Sequence, residues 1–256
     1  MAAHCNRRPE VYSFASSPGT EILPMSEPTL DRRHLLAGAT LAAAAAAAQA
    51  QPATAAAAPA PTFAAKPLGF DPKTTPGISE KLMLSHYDNN YMGAVRRLGT
   101  IAAEFAALEP ATAPGYRLNG LKREELIAWN SMILHELFFA GFGPAQAPSG
   151  ALAAAIARDF GGMVRWAAEL SGMGKALGGG SGWVLLTWSA RDRRLVNQWA
   201  ADHTMTLAGS TPILALDMYE HAYHMDYGAA AGAYVDAFMK AVTWRNANAA
   251  FARAAA

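Results

Sequence analysis

An α+β fold is predicted, with an N-terminal helical hairpin domain followed by a C-terminal α/β domain built on a three-stranded antiparallel sheet. Three observations carry it. Apolar residues recur at helical spacing through 79–107 and again through 123–139. Two runs rich in β-forming residues, 183–188 and 195–199, flank a polar turn, and helical spacing then returns at 230–242 and 244–254.

The first helix is marked by Leu82, Met83, Tyr87, Tyr91, Ala94, Val95 and Leu98, the second by Leu126, Ile127, Met132, Ile133 and Phe138. Pro110, Pro114, Gly115 and Gly120 lie between them and predict a long turn, so the two pair as a hairpin over 66–143. Past Pro144, helices are expected at 149–158 and 160–177. Trp183 to Trp188 and Leu195 to Trp199 then read as an antiparallel pair, with 213–216 as a third strand carrying Asp217 at its end. These belong to the second domain, 144–256.

The first residues differ in character. Arg32 and Arg33 precede an apolar stretch, mostly alanine, that runs to Ala50, an order that predicts a twin-arginine export signal over 1–50. A spanning helix needs about 20 strongly apolar residues, so cleavage at the small-x-small site Ala48, Gln49, Ala50 is expected over a retained anchor. Met25 is an alternative start. Residues 51–65 read as a flexible Ala/Pro linker, and the location expected is periplasmic or otherwise exported. The only cysteine, Cys5, falls in the segment to be removed, so the mature chain has no disulfide. A net charge of +1 gives no footprint for nucleic acid.

Asp217 and His221 stand four apart near the C-terminus, with lone histidines upstream at His86 and His135. Three imidazoles and one carboxylate suit a first-row transition metal and leave a further position open for a small substrate. Taken singly, a histidine on an apolar helix face is more often a hydrogen-bonded core residue, and an Asp and a His four apart occur by chance in many helical proteins.

The surrounding residues narrow the reading. Residues 213–227 resemble the C-terminal signature D-x-W-E-H-A-Y of iron/manganese superoxide dismutases, with Tyr219 where that family usually has Trp. Residues 78–87 resemble its first-ligand helix, 130–139 its second, and Gly180, Ser181, Gly182 and Trp183 its G-S-G-W motif. The resemblance spans 66–253 in the right order. It implies His86, His135, Asp217 and His221 as ligands to one iron or manganese ion per subunit, iron preferred. The implied reaction converts superoxide to dioxygen and hydrogen peroxide, with electron and proton uptake coupled.

It also implies roles for neighbouring residues. His203 aligns where many manganese-type relatives place a Gln that tunes the site, the other place for such a Gln being Ser131. The family's channel Tyr aligns with Ala94 and a neighbouring His with Asn90, so Tyr91 is the ring that could stand in. His203, Asn90 and Tyr91 are therefore the catalytic candidates, and Trp183 and Phe139 the apolar wall. Glu220 resembles an interface Glu that reaches the neighbouring subunit's His ligand, and His224 aligns with an interface Tyr, implying a homodimer. Superoxide and the twin-arginine export machinery are the expected partners. A second reading is a weak or inactive dismutase-like protein that binds metal or senses. A zinc hydrolase is more remote, because neither Glu136 nor Glu220 is placed as a general base.

Overall fold

The structure, a computed structural model, describes residues 59–256. The expected export signal, with Arg32 and Arg33, and residues 51–58 of the expected linker lie outside the described residues. Helix α1 (Glu80–Ser85) starts at Ser79, whose side chain accepts from the Leu82 N–H as an N-cap. It passes into a π-helical turn (His86–Tyr91) and then α2 (Met92–Ala106). The sequence reads this stretch as one regular helix. The π turn arises where Asp88, Asn89 and Asn90, poor helix formers, cluster, and the Asn89 amide bonds back to the Ser85 carbonyl and hydroxyl.

Helix α3 (Gly115–Phe139) begins eight residues before the predicted start. Pro114 is the cause. Its φ of −58° presets the first turn, and Gly115 and Gly120, expected in the turn, continue the helix in open space. Then come α4 (Gly150–Phe160), α5 (Met163–Ala176), β1 (Trp183–Ser189), β2 (Arg194–Ala200) and β3 (Ser210–Asp217). A 3-10 turn (Glu220–Ala222) and a single turn, α6 (His224–Tyr227), were not predicted; they precede α7 (Ala231–Ala241) and α8 (Arg245–Ala254). The fold is thus α+β, as expected.

The sheet is antiparallel in the order β2-β1-β3, so β1 is central and buried along its whole length. Its register sets Trp183 opposite both Ala200 and Asp217. The β1–β3 ladder is irregular between Leu186 and Thr187, next to Pro212, which has no N–H to donate and is tolerated because β3 is an edge strand. Gly182 enters β1 at φ +136°, where a Cβ would lie 2.2 Å from the Ala200 carbonyl oxygen, so only glycine fits.

One hydrophobic core joins helices and sheet: Tyr91, Leu134, Phe138 and Phe139 pack with Trp183, Leu216 and Phe238. A smaller cluster of Leu98, Ile101 and Ala128 lies under Phe63, which packs edge-on against Trp129 at 5.3 Å. Asp226 accepts hydrogen bonds from the Ser79 N–H and hydroxyl, both 2.7 Å, tying α6 to the start of α1. No helix among the described residues is long and apolar enough to cross a membrane.

Candidate metal centre

His86 opens the π turn, His135 projects from the last turns of α3, Asp217 ends β3, and His221 follows in the 3-10 turn. Helical packing buries the first two to 1 % exposure, and the sheet register fixes the third. The four offer ligand atoms all within 4.8 Å of one another. Asp217 Oδ2 lies 3.1 Å from His86 Nε2, 3.3 Å from His221 Nε2 and 3.7 Å from His135 Nε2. Ligands held about 2 Å from one ion stand about 3–4 Å apart, so these separations fit a shared metal.

The hydrogen bonding makes the same point. His86 Nε2, His135 Nε2, His221 Nε2 and Asp217 Oδ2 are all buried without a hydrogen-bond partner. Buried polar atoms left unpaired are costly, and four converging on one point are accounted for by a cation among them. Two of the outer atoms are engaged, while His86 Nδ1 is buried without a partner. His135 Nδ1–H donates to the Ser131 carbonyl at 2.6 Å, leaving the Nε2 lone pair free, and Asp217 Oδ1 accepts from the Tyr219 N–H at 2.8 Å.

Burial lowers the His86 imidazole and brings His135 down to about 3. Burial would raise the Asp217 carboxyl, but His221 and His86 outweigh it and hold the group well below the usual carboxylate range. Neutral imidazoles and an ionised carboxylate are the forms that bind metal.

Phe138 and Phe139 face the His86 ring at 4.9 and 5.1 Å, and Trp183 meets His135 edge-on at 5.3 Å. These rings wall off the site. His203 sits half-buried 6.2 Å from the His135 ring, its Nδ1 accepting from Trp183 Nε1–H at 3.0 Å. Tyr219 stacks on both His203 (4.8 Å) and His221 (5.4 Å).

A profile of the iron/manganese superoxide dismutase C-terminal domain matches residues 148–250. The chain is 64 % identical over 192 residues to the iron superoxide dismutase of Cupriavidus metallidurans, a match covering 75 % of this chain and 98 % of that protein. The chain belongs to the iron/manganese superoxide dismutase family. Relatives named for either metal are found. Manganese superoxide dismutase 1 of Halobacterium salinarum is 37 % identical, covering 74 % of this chain and 94 % of its own length. The iron superoxide dismutase of Aquifex aeolicus is 32 % identical, covering 72 % and 88 %.

Within this superoxide dismutase fold the other predicted residues are placed as follows. Asn90 lies half-buried in the π turn, and its side chain is not among the hydrogen-bonded groups around the ligand atoms. The Tyr91 ring is 6.5 Å from His135, but its hydroxyl accepts from Lys66 N at 2.7 Å and donates to Glu136 Oε1 at 3.1 Å. Burial, with the nearby Glu136 carboxylate, pushes this phenol up to about 12. Lys66 Nζ closes the group by pairing with Glu136. Ala94 is buried and brings no polar atom. Glu220 and His224 are exposed.

Two contributions escaped the sequence reading. Ser131, named there only as a place for a Gln, matters through its carbonyl, one turn before His135, which the i, i+4 geometry of a helix could have indicated. Asn130 donates from Nδ2 to the His203 carbonyl at 2.6 Å, a contact across 73 residues with no local signal.

Proposed function

We infer that this chain is a superoxide dismutase working with one iron or manganese ion, iron preferred, held by His86, His135, Asp217 and His221. The observation that carries the reading is the convergence of four buried, unpartnered ligand atoms in a chain 64 % identical to an iron superoxide dismutase. Two superoxide anions and two protons yield dioxygen and hydrogen peroxide. The ion, when bound, supplies a one-electron redox couple. The protein keeps the His86 and His135 imidazoles neutral and the Asp217 carboxylate charged around it, excludes bulk water with Phe138, Phe139 and Trp183, and presents His203 beside the ligands.

Proton supply is where this chain is unusual. Tyr91 holds its hydroxyl toward Lys66 and Glu136, and Ala94 has none. That observation favours, as a second reading, a dismutase of low turnover or a metal-binding or sensing role. Superoxide decay by the purified chain, per bound iron or manganese ion, separates the two. Decay far above the free-metal background establishes the dismutase, and full occupancy without decay establishes the alternative.

The export signal belongs to the same proposal. Arg32, Arg33, the alanine-rich run and the Ala48 to Ala50 site support delivery to the periplasm by a route that carries folded proteins, so that the ion can be loaded beforehand. A homodimer with Glu220 and His224 at its interface is supported by the exposure of both beside His221. Cell fractionation with N-terminal sequencing, and sedimentation of the Glu220→Ala chain, test these two points.

A further inference from the structure

We propose that Met205 is a modification site for hydrogen peroxide, and that its thioether holds the neck of the loop after β2 by a contact that oxidation removes. The source of the oxidant rests on the dismutase reading, the effect on the loop's own geometry.

The loop 201–209 has no regular structure, and Met205 closes its first turn twice. Its carbonyl accepts from Gln198 Nε2 at 3.1 Å, and its sulfur accepts from the Ala201 N–H at 3.4 Å. Gln198 in turn accepts from the Leu207 N–H at 2.9 Å. Met163, Met205 and Met225 are 36, 41 and 47 % exposed, so exposure alone does not single one out. The contact does, because among the described residues Met205 is the methionine whose sulfur accepts a hydrogen bond.

The candidate metal centre opens toward this loop. His221 has 26 % of its side chain exposed, against 1 % or less for His86, His135 and Asp217. Tyr219 stacks on His221 at 5.4 Å and on His203 at 4.8 Å, and His203 is two residues before Met205. Peroxide formed at the centre is therefore released on the side where the thioether is exposed.

In the step, a sulfur lone pair attacks one peroxide oxygen and the O–O bond breaks. The departing hydroxide takes the proton of the transferred oxygen and leaves as water. Sulfur gains one oxygen and gives up two electrons, and the peroxide is reduced. A thioether is soft and a weak acceptor, whereas a sulfoxide is polar and hydrated. The oxidised side chain turns to water, and the Ala201 N–H loses its acceptor. Reduction of the sulfoxide restores the contact.

The test uses the full chain loaded with zinc, which has no redox couple, so that peroxide acts on side chains alone. After peroxide treatment, peptide mass mapping is expected to find one oxygen on Met205, and amide exchange at Ala201 should quicken by roughly fivefold. Methionine sulfoxide reductases with a thiol should reverse both. Met163→Leu combined with Met225→Leu should leave the response intact, and Met205→Leu should show rapid exchange at Ala201 that peroxide does not change. Met205 left unoxidised while Met163 and Met225 react, or oxidised with exchange at Ala201 unaltered or slowed, overturns the proposal. An iron-loaded chain that does not consume superoxide would remove the dismutase reading and leave the added-peroxide result standing.

Discussion

Trp183 and Asp217 face each other across the β1–β3 ladder, the first residue of one strand against the last of the other. The sheet therefore delivers a candidate metal ligand and a wall of the site in one register. Gly182 guards that register. Gly182→Ala places a methyl 2.2 Å from the Ala200 carbonyl at φ +136°, and is expected to cost at least about 2 kcal/mol. Urea unfolding checks the loss, and metal content should fall with it because Trp183 and Asp217 shift together.

Metal should add stability as well as chemistry. At free iron or manganese a thousandfold above Kd, linkage contributes about 4 kcal/mol, or roughly 8–16 °C in Tm for a domain of this size. Asp217→Asn should abolish most of that difference and hold less than one ion per chain. Thermal melting with and without chelator, alongside metal analysis, reads both; an unchanged chelator effect in the variant would exclude Asp217 as a ligand.

Asp159 carries a pH signature remote from the site. Burial alone would raise its carboxyl, but the Arg158 guanidinium and the Leu195 N–H, each at 2.7 Å, pull it below its usual value. Its stabilisation is present above the ordinary carboxylate pKa of about 4 and is lost as pH falls through the lower folded value. Asp159→Asn should cost about 1–3 kcal/mol at neutral pH and flatten the acid limb. Equal acid sensitivity in both proteins would show that the pair contributes nothing.

Restoring a phenol tests the proton supply. Ala94→Tyr combined with Asn90→His should raise superoxide turnover per ion by roughly tenfold or more, short of the about 10²–10⁴ a well-placed acid can give. Because Ala94 is buried, overpacking should cost about 1–3 kcal/mol. Unaltered turnover and pH profile would deny those positions any part in proton delivery.

Tyr91→Phe removes the acceptor of Lys66 N and a donor to Glu136. A loss of about 1–3 kcal/mol is expected, with faster amide exchange at Lys66. Unchanged exchange there would mean that the segment is held by Phe63 and Trp129 instead.

The parts of this molecule that were legible in the sequence are those written locally. Asp217 and His221 at a spacing of four, the β-rich runs about the 190–193 turn and the helical spacing of Leu82 to Leu98 all lie within a few residues. His135 needed its neighbours Asn130 to Phe139 for a ligand role to be seen. Two features misled. Gly115 and Gly120 read as breakers although Pro114 had already started α3, and the π turn was hidden because apolar residues before and after it each keep helical spacing. The grip on His203 was not legible, since Trp183 and Asn130 reach it across 20 and 73 residues.

The π turn has a further consequence for how this chain can vary. Met92 N–H reaches the Tyr87 carbonyl five residues back, so the segment holds one residue more than an α-helix of the same length. Deleting any one of residues 87–90 would let an α-helix of the same length join α1 to α2, with their faces still aligned. Adding a residue there would instead turn α1 by about 100° against α2 and carry His86 away from Phe138 and Phe139, while every candidate ligand remained in the sequence. The turn can thus lose a codon more easily than it can gain one.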